Sequence, residues 1–267
     1  MPPLTVRAIK RGLNIVSKFT KITRGIRKLF GADVRDYFNS AIIVAGGTGS
    51  RMNLPEGQTK QLLDVSGLPV IVRTVNAFEA CPDIDEIILV VRKDEFPVYK
   101  EYMRTYKFKK VTHIVSGGDT RQQSVLNGLS KVNEKAEFVS IHDGARCLIT
   151  PGQISEVCTW AYHYGAATAA VAATDSVKLS EGGFIKETLD RNNIYLAGTP
   201  QIFKHDLYRA AAYSAKKDGF EATDDNSLVE RLKVRIYLTD IGRDNIKITN
   251  IEDISKAEEI LKRRESL

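Results

Sequence analysis

From Ser40 onward, apolar β-type runs alternate with stretches of helical spacing. The runs fall at 41–45, 86–91, 111–116, 138–142 and 168–173, with a later one at 234–238. Between them, 70–80, 95–106, 121–132 and 152–164 have the spacing or composition of helices. Asp119-Thr120 supplies an N-cap for the helix that carries Arg121 and Ser124. Repeated strand–helix units predict an α/β domain, a mostly parallel sheet with helices on both faces. Ligands of such sheets sit beyond the carboxyl ends of the strands. The Gly-rich stretch 46–50 and the run His142-Asp-Gly-Ala-Arg146 both follow strands directly, so they are expected to face one crevice.

Two segments break this rhythm. In 174–198, two short alternating stretches flank Glu181-Gly182-Gly183, the pattern of a β-hairpin arm. An arm that projects from an α/β domain packs on something, and a second subunit is the simplest partner. At the other end, Val6, Ile9, Leu13, Val16, Phe19, Ile22, Ile26 and Leu29 recur at steps of three or four, with Lys and Arg between them. A basic amphipathic helix over residues 5–30 suits a membrane surface or a partner helix. A poorly ordered extension, a transit peptide and a start site placed early fit the same residues. No uncharged apolar run there is long enough to span a bilayer. The division expected is an extension at 1–39 and a domain at 40–267, with the arm at about 174–198.

Charge sharpens that division. The net charge of the 267 residues is +6, yet residues 1–40 hold nine of the 39 Lys and Arg and two of the 33 acids. The rest is close to neutral and has no general nucleic-acid footprint. Hydrophobic content of 43% and charged content of 27% are those of a soluble globular chain. Three cysteines, Cys81, Cys147 and Cys158, form no C-x-x-C pair and predict a reducing, cytoplasmic setting. Four scattered histidines give no metal-ligand spacing.

The chemistry concentrates in loops. Residues 41–52 read Ala-Ile-Ile-Val-Ala-Gly-Gly-Thr-Gly-Ser-Arg-Met, an apolar run ending in three glycines and an arginine. Glycines let the backbone approach a ligand closely, and successive N–H groups form a nest for anions. This is neither a Walker loop nor G-x-G-x-x-G, but it suits a nucleoside triphosphate. Lys60 shares the long loop with Arg51, and two cations there offset charge that develops at an α-phosphorus. Asp143 and Arg146, Asp175, Ser176 and Lys178, Asp190-Arg-Asn192 and Asp244-Asn-Ile-Lys247 stand after strands or on the arm.

Together the runs Ala45–Met52, Thr59-Lys-Gln-Leu62, Gly117–Ser124, His142–Arg146, Asp190–Asn192, Thr199-Pro-Gln201, Thr223-Asp224 and Asp244–Lys247 resemble the 2-C-methyl-D-erythritol 4-phosphate cytidylyltransferase family of the non-mevalonate isoprenoid pathway. The resemblance spans about 40–262, in order. It implies a Rossmann-like fold of the nucleotide-diphospho-sugar transferase type. It also implies transfer of CMP from CTP to methylerythritol phosphate, with Mg²⁺ on the triphosphate oxygens.

The resemblance assigns catalytic roles to Arg51, Lys60 and Lys247. It implies nucleotide contacts for Ala45, Gly46, Gly47, Thr48, Gly49 and Ser50, and further ones for Gly117, Gly118, Arg121, Ser124 and Asp143. Substrate contacts fall on Asp143, Gly144, Arg146 and Thr199. Ser176 and Arg191, on the arm, match positions that reach into the partner subunit's site of a homodimer. The sequence departs from the family at Thr59, where proline is frequent, and in a longer Asn53–Gln58 insert. Further departures are Gly144 for alanine, Cys147 for proline and Ser176 for threonine. A ribitol-5-phosphate cytidylyltransferase is the nearest alternative, and Asp190-Arg-Asn192 with Thr199-Pro-Gln201 favour the methylerythritol enzyme. A membrane-associated nucleotide-binding protein without activity and a nucleotidyltransferase using UTP or GTP are more distant readings.

Overall fold

The computed structural model describes residues 37–47, Met52 and 58–266. The expected basic helix at 5–30 lies outside the described residues. The sheet is built on β1 (Asn39–Val44), whose residues are buried almost throughout. It pairs in parallel with β4 (Glu86–Val91) on one side and β6 (Phe138–Asp143) on the other. Strands covered on both faces are rich in apolar residues, and the segments 41–44, 87–91 and 138–141 made these three legible as strands. Asn39, one residue ahead of the expected domain start, is fully buried. The Tyr37 ring packs 4.9 Å from that of Phe138.

Beyond β4 lies β5 (Val111–Ser116); beyond β6 lie β10 (Tyr195–Lys204), β7 (Ala166–Ala172) and β11 (Tyr237–Asp240), so the full order is β11-β7-β10-β6-β1-β4-β5. The chain therefore runs from β1 outward to β4 and β5, then returns to β6 on the other side of β1. That reversal is a topological switch point, where α/β sheets open a crevice at the carboxyl ends of the strands. A small hairpin, β2 (Asp64–Val65) and β3 (Leu68–Pro69), leads into α1 (Val70–Ala80). Helix α1 covers one face of the sheet with α4 (Pro151–Tyr164). α2 (Phe96–Tyr106) lies between β4 and β5 in the chain. The other face is covered by α3 (Arg121–Leu129), α5 (His205–Lys217) and α6 (Asp225–Glu230). Thr120 caps α3 as expected, its side chain accepting from the Gln123 amide.

The far half departs from the expected pattern. β7 (Ala166–Ala172) does not neighbour β6; β10 (Tyr195–Lys204) runs between them, antiparallel to both. The run expected at 234–238 forms β11 later, at Tyr237–Asp240. Val234 and Ile236 pack against the core without pairing to a strand, so their apolar spacing records burial rather than a ladder. The arm exists as a hairpin of β8 (Lys178–Glu181) and β9 (Phe184–Thr188) joined through Gly182-Gly183. The two glycines have φ of 59° and 86°, the left-handed conformation that tight hairpin turns require. The chain closes with α7 (Glu252–Glu265).

Candidate active site

A cleft of about 570 Å³ opens at the switch point between β1 and β6. Strand β1 delivers Gly46 and Gly47 to it, β6 delivers Asp143, and the first turn of α3 delivers Arg121 and Ser124. Lys60 and Lys247 line it from the loops before β2 and after β11. The sequence expected the 46–50 and 142–146 loops to share one crevice, and Gly46, Gly47 and Asp143 do. A larger cavity of about 940 Å³ lies beside Tyr37 at the opposite ends of the strands. Its acidic groups Glu134, Glu137 and Asp206 are exposed, and no buried charge converges on it.

Asp143 organises the cleft. Its Oδ2 stands 2.8 Å from Lys247 Nζ and 3.7 Å from Arg146 Nε, and its Oδ1 stands 3.2 Å from Arg121 Nε. Burial alone pushes a carboxyl pKa up, but Arg121, Lys247 and Arg146 outweigh it and hold Asp143 well below the carboxylate range. Arg121 also meets Asp225 Oδ2 at 2.7 Å. Burial lowers the arginine's pKa; Asp225 and Asp143 more than reverse that and fix the guanidinium as a cation. Asp225 itself is 1% exposed and accepts the Tyr208 hydroxyl at 2.5 Å. Arg121, Lys247 and Arg146 thus face Asp143 and Asp225; Lys60 and Asp119 also line the cleft, so among the described residues four cations stand with three carboxylates. The balance among the described residues is positive, as a polyphosphate site needs.

Behind the cleft runs a buried polar frame. The Asp143 amide donates to Thr199 Oγ1 at 3.0 Å, and Thr199 Oγ1 lies 3.0 Å from His142 Nδ1. His142 Nε2 faces the Arg146 carbonyl at 3.3 Å. With Nε2 donating to that carbonyl, Nδ1 accepts the threonine hydroxyl and every group is satisfied. Burial pushes the His142 pKa down to about 3, so the ring is neutral. Arg146 Nη1 donates to the Asn245 carbonyl at 2.9 Å, and Asn245 Nδ2 donates to the Thr199 carbonyl at 2.9 Å. This frame seats the Lys247 loop on the bulge of β10.

Comparison with known proteins decides the family. The family model for IspD, 2-C-methyl-D-erythritol 4-phosphate cytidylyltransferase, matches residues 40–263. The chain belongs to that cytidylyltransferase family. A Clostridium acetobutylicum relative of that name is 41% identical over 227 residues, covering 84% of this chain and 98% of its own length. One from Clostridium novyi is 43% identical over 225 residues, covering 84% of this chain and 96% of its own. Among solved structures, the 4-diphosphocytidyl-2C-methyl-D-erythritol synthase of Anaerococcus prevotii superposes with a TM-score of 0.77 at 30% identity. It covers 85% of this chain and 97% of its own.

The cytidylyltransferase site expected from the sequence divides into four groups. Gly46, Gly47, Lys60, Gly118, Arg121, Ser124, Asp143 and Lys247 line the cleft. Ala45, Gly117, Gly144, Arg146 and Thr199 stand behind it; Arg146 and Thr199, expected to meet substrate, hold the frame just described. Gly144 has little room to be anything larger, since a Cβ there would lie 3.0 Å from Ile71 Cδ1 and 3.1 Å from Val44 O. Ser176 and Arg191 are exposed on the arm and away from this chain's own cleft. Thr48, Gly49, Ser50 and Arg51 lie outside the described residues. Asp225 and the His142–Thr199 link were missed. Asp225 follows Asp224, whose side chain caps α6 by accepting from the Ser227 amide, and the pair reads from sequence as a helix start.

Proposed function

We propose that this chain transfers CMP from CTP to 2-C-methyl-D-erythritol 4-phosphate, giving 4-diphosphocytidyl-2-C-methyl-D-erythritol and pyrophosphate, a step of the non-mevalonate isoprenoid pathway. The family match across residues 40–263 carries this reading. The acceptor phosphate attacks the α-phosphorus of CTP and pyrophosphate leaves. The nucleophile is already an anion, so the reaction needs charge neutralisation and in-line alignment more than a base. Lys60 and Lys247 are the proposed catalytic cations of the described cleft, with Arg51 as the third. Arg121, Ser124 and the Gly46-Gly47 turn receive the nucleotide, and Asp143 keeps Arg121 and Lys247 aimed into the cleft.

Mg²⁺ is the proposed cofactor, and it supplies charge neutralisation across the triphosphate. Among the described residues no group of three His, Cys, Asp or Glu side chains is placed to hold a metal. Asp119 and Asp143 are the carboxylates lining the cleft, and both Asp143 oxygens already face cations. The donor set therefore fits an ion ligated mainly by phosphate oxygens.

A homodimer through the arm completes the proposal. Phe184, Ile185 and Leu196 are 80%, 68% and 60% exposed, an apolar surface that a second copy would cover. Ser176 and Arg191 would then serve the neighbouring cleft. The proposed location is the cytoplasm, with residues 5–30 resting on anionic lipid. No helix among the described residues is long and apolar enough to cross a membrane.

Pyrophosphate release from CTP, with and without Mg²⁺, is measured with methylerythritol phosphate or ribitol 5-phosphate in parallel. Mg²⁺-dependent release with the first acceptor supports the proposal. Release with ribitol 5-phosphate alone keeps the mechanism and overturns the acceptor.

A further inference from the structure

Lys60 sits on a turn whose backbone is pinned at three carbonyls. Thr59 O accepts Leu62 N at 3.0 Å, Gln61 O accepts Ile71 N at 3.0 Å, and Leu63 O accepts Val70 N at 2.9 Å. These bonds fix the turn on its far side, toward α1. On the near side, Thr59 Oγ1 donates to Glu95 Oε1 at 2.7 Å. Glu95 ends a short turn, Lys93–Glu95, that follows β4 directly. It therefore stands beyond the carboxyl end of the strand that neighbours β1, at the end of the sheet where the cleft opens.

The carboxyl group is ill-suited to a purely structural role. Glu95 is 6% exposed and Thr59 2% exposed. Among the described residues Glu95 makes no ion pair, and its Oε2 has no hydrogen-bond partner. The Tyr99 hydroxyl, one helical turn further on, is likewise buried and unpartnered. A buried carboxyl with no ion pair among the described residues is costly, and an apolar side chain would fill the same space more favourably. Burial raises its pKa, the direction expected of a group that gains little from its surroundings. Its Oε1 accepts from the residue that precedes Lys60.

That position matters because lysine is a point charge on a flexible stem. Where its ammonium comes to rest depends on the backbone direction at Thr59 and Lys60. A misplacement of about 1 Å near reacting atoms costs as much as ~10²-fold in rate.

We propose that Glu95 is a positioning residue for the transfer reaction: through Thr59 it fixes the turn that presents Lys60 to the triphosphate. This rests on the reading of Lys60 as a triphosphate cation. Glu95 touches no substrate; it acts through the Thr59 hydroxyl.

The test is a double-mutant cycle on Thr59→Val and Glu95→Ala, with Glu95→Gln and Thr59→Ser as conservative variants and Lys60→Ala as reference. Each disruptive single variant is expected to lower kcat/KM for CTP about tenfold, the scale of one net hydrogen bond. The double variant loses no more than either single. Glu95→Gln keeps an acceptor and Thr59→Ser keeps a donor, so both stay within about twofold of wild type. The KM for the acceptor phosphate does not move. Additive losses, a Glu95→Gln variant as impaired as Glu95→Ala, or a fully active Thr59→Val variant would overturn the proposal. If Lys60→Ala collapses while the other variants turn over normally, the positioning role alone fails. If Lys60→Ala itself turns over normally, the reading of Lys60 fails and the proposal with it. Should Glu95→Ala not fold, as judged by thermal unfolding, Thr59→Val and Glu95→Gln decide.

Discussion

Lys247 Nζ lies 2.8 Å from Asp143 Oδ2, joining the loop after the last strand to the carboxyl end of β6. The same carboxylate faces Arg121 through its other oxygen. One buried anion thus aims two cations from distant parts of the chain at one cleft. Preorganised charge of this kind needs no rearrangement at the moment of reaction, which is where electrostatic catalysis gains most.

Asp225 is the next member of this chain of charges. Asp225→Asn leaves Arg121 with one carboxylate and sets an amide where the guanidinium met an anion at 2.7 Å. Removing one partner of a buried pair costs about 3–5 kcal/mol. Urea unfolding is expected to show a loss of that order, and KM for CTP is expected to rise. Unchanged stability and KM would mean that Asp143 alone holds Arg121.

His142 gives a pH dependence of definite sign. Its folded pKa of about 3 lies below the ordinary 6.5, so protons bind the unfolded chain first. Its contribution is intact above about pH 6.5 and is lost progressively as pH falls toward 3. Between pH 7 and 5 this one group should remove about 2 kcal/mol of stability. Urea unfolding at both pH values, for wild type and His142→Asn, is expected to show that extra loss in the wild type only. The same pH dependence in both would place the sensitivity elsewhere.

The arm's apolar surface makes the oligomeric state testable. Light scattering at micromolar concentration is expected to give the mass of two chains. Phe184→Ser with Ile185→Ser should give the mass of one and lose activity as well, since Ser176 and Arg191 share the arm. A wild-type chain that is monomeric and fully active would contradict this use of the arm.

The extension ahead of Tyr37 carries a separate prediction. The full chain is expected to co-sediment with anionic vesicles, and a chain starting near Tyr37 to remain in the supernatant. Equal partition of the two would remove the lipid-surface reading.

How far the sequence reached depended on burial. β1, β4 and β6 announce themselves because strands covered on both faces are mostly apolar, and the loops after β1 and β6 follow from them. Strand β10 was hidden, its first residues read as the arm's return limb. Its register shifts between Ala197 and Gln201, and a bulge containing Pro200 breaks the alternation that marks a strand. The cations of the site were legible because each stands in a short polar run after a strand, Arg121 at the start of α3 and Arg146 and Lys247 in loops. Asp225 and Glu95 were not, since each reads locally as an ordinary acid near a helix start. Only tertiary packing shows that Asp225 meets Arg121 and that Glu95 meets Thr59.

If the cations gathered around Asp143 drive CMP transfer, Lys247→Ala removes one of them. The measurement is pyrophosphate release from CTP and Mg²⁺ with methylerythritol phosphate, alongside thermal unfolding to confirm the fold. The expected result is a folded variant whose kcat falls on the order of 10²-fold or more, as for loss of one transition-state donor. A folded variant with wild-type turnover would contradict it.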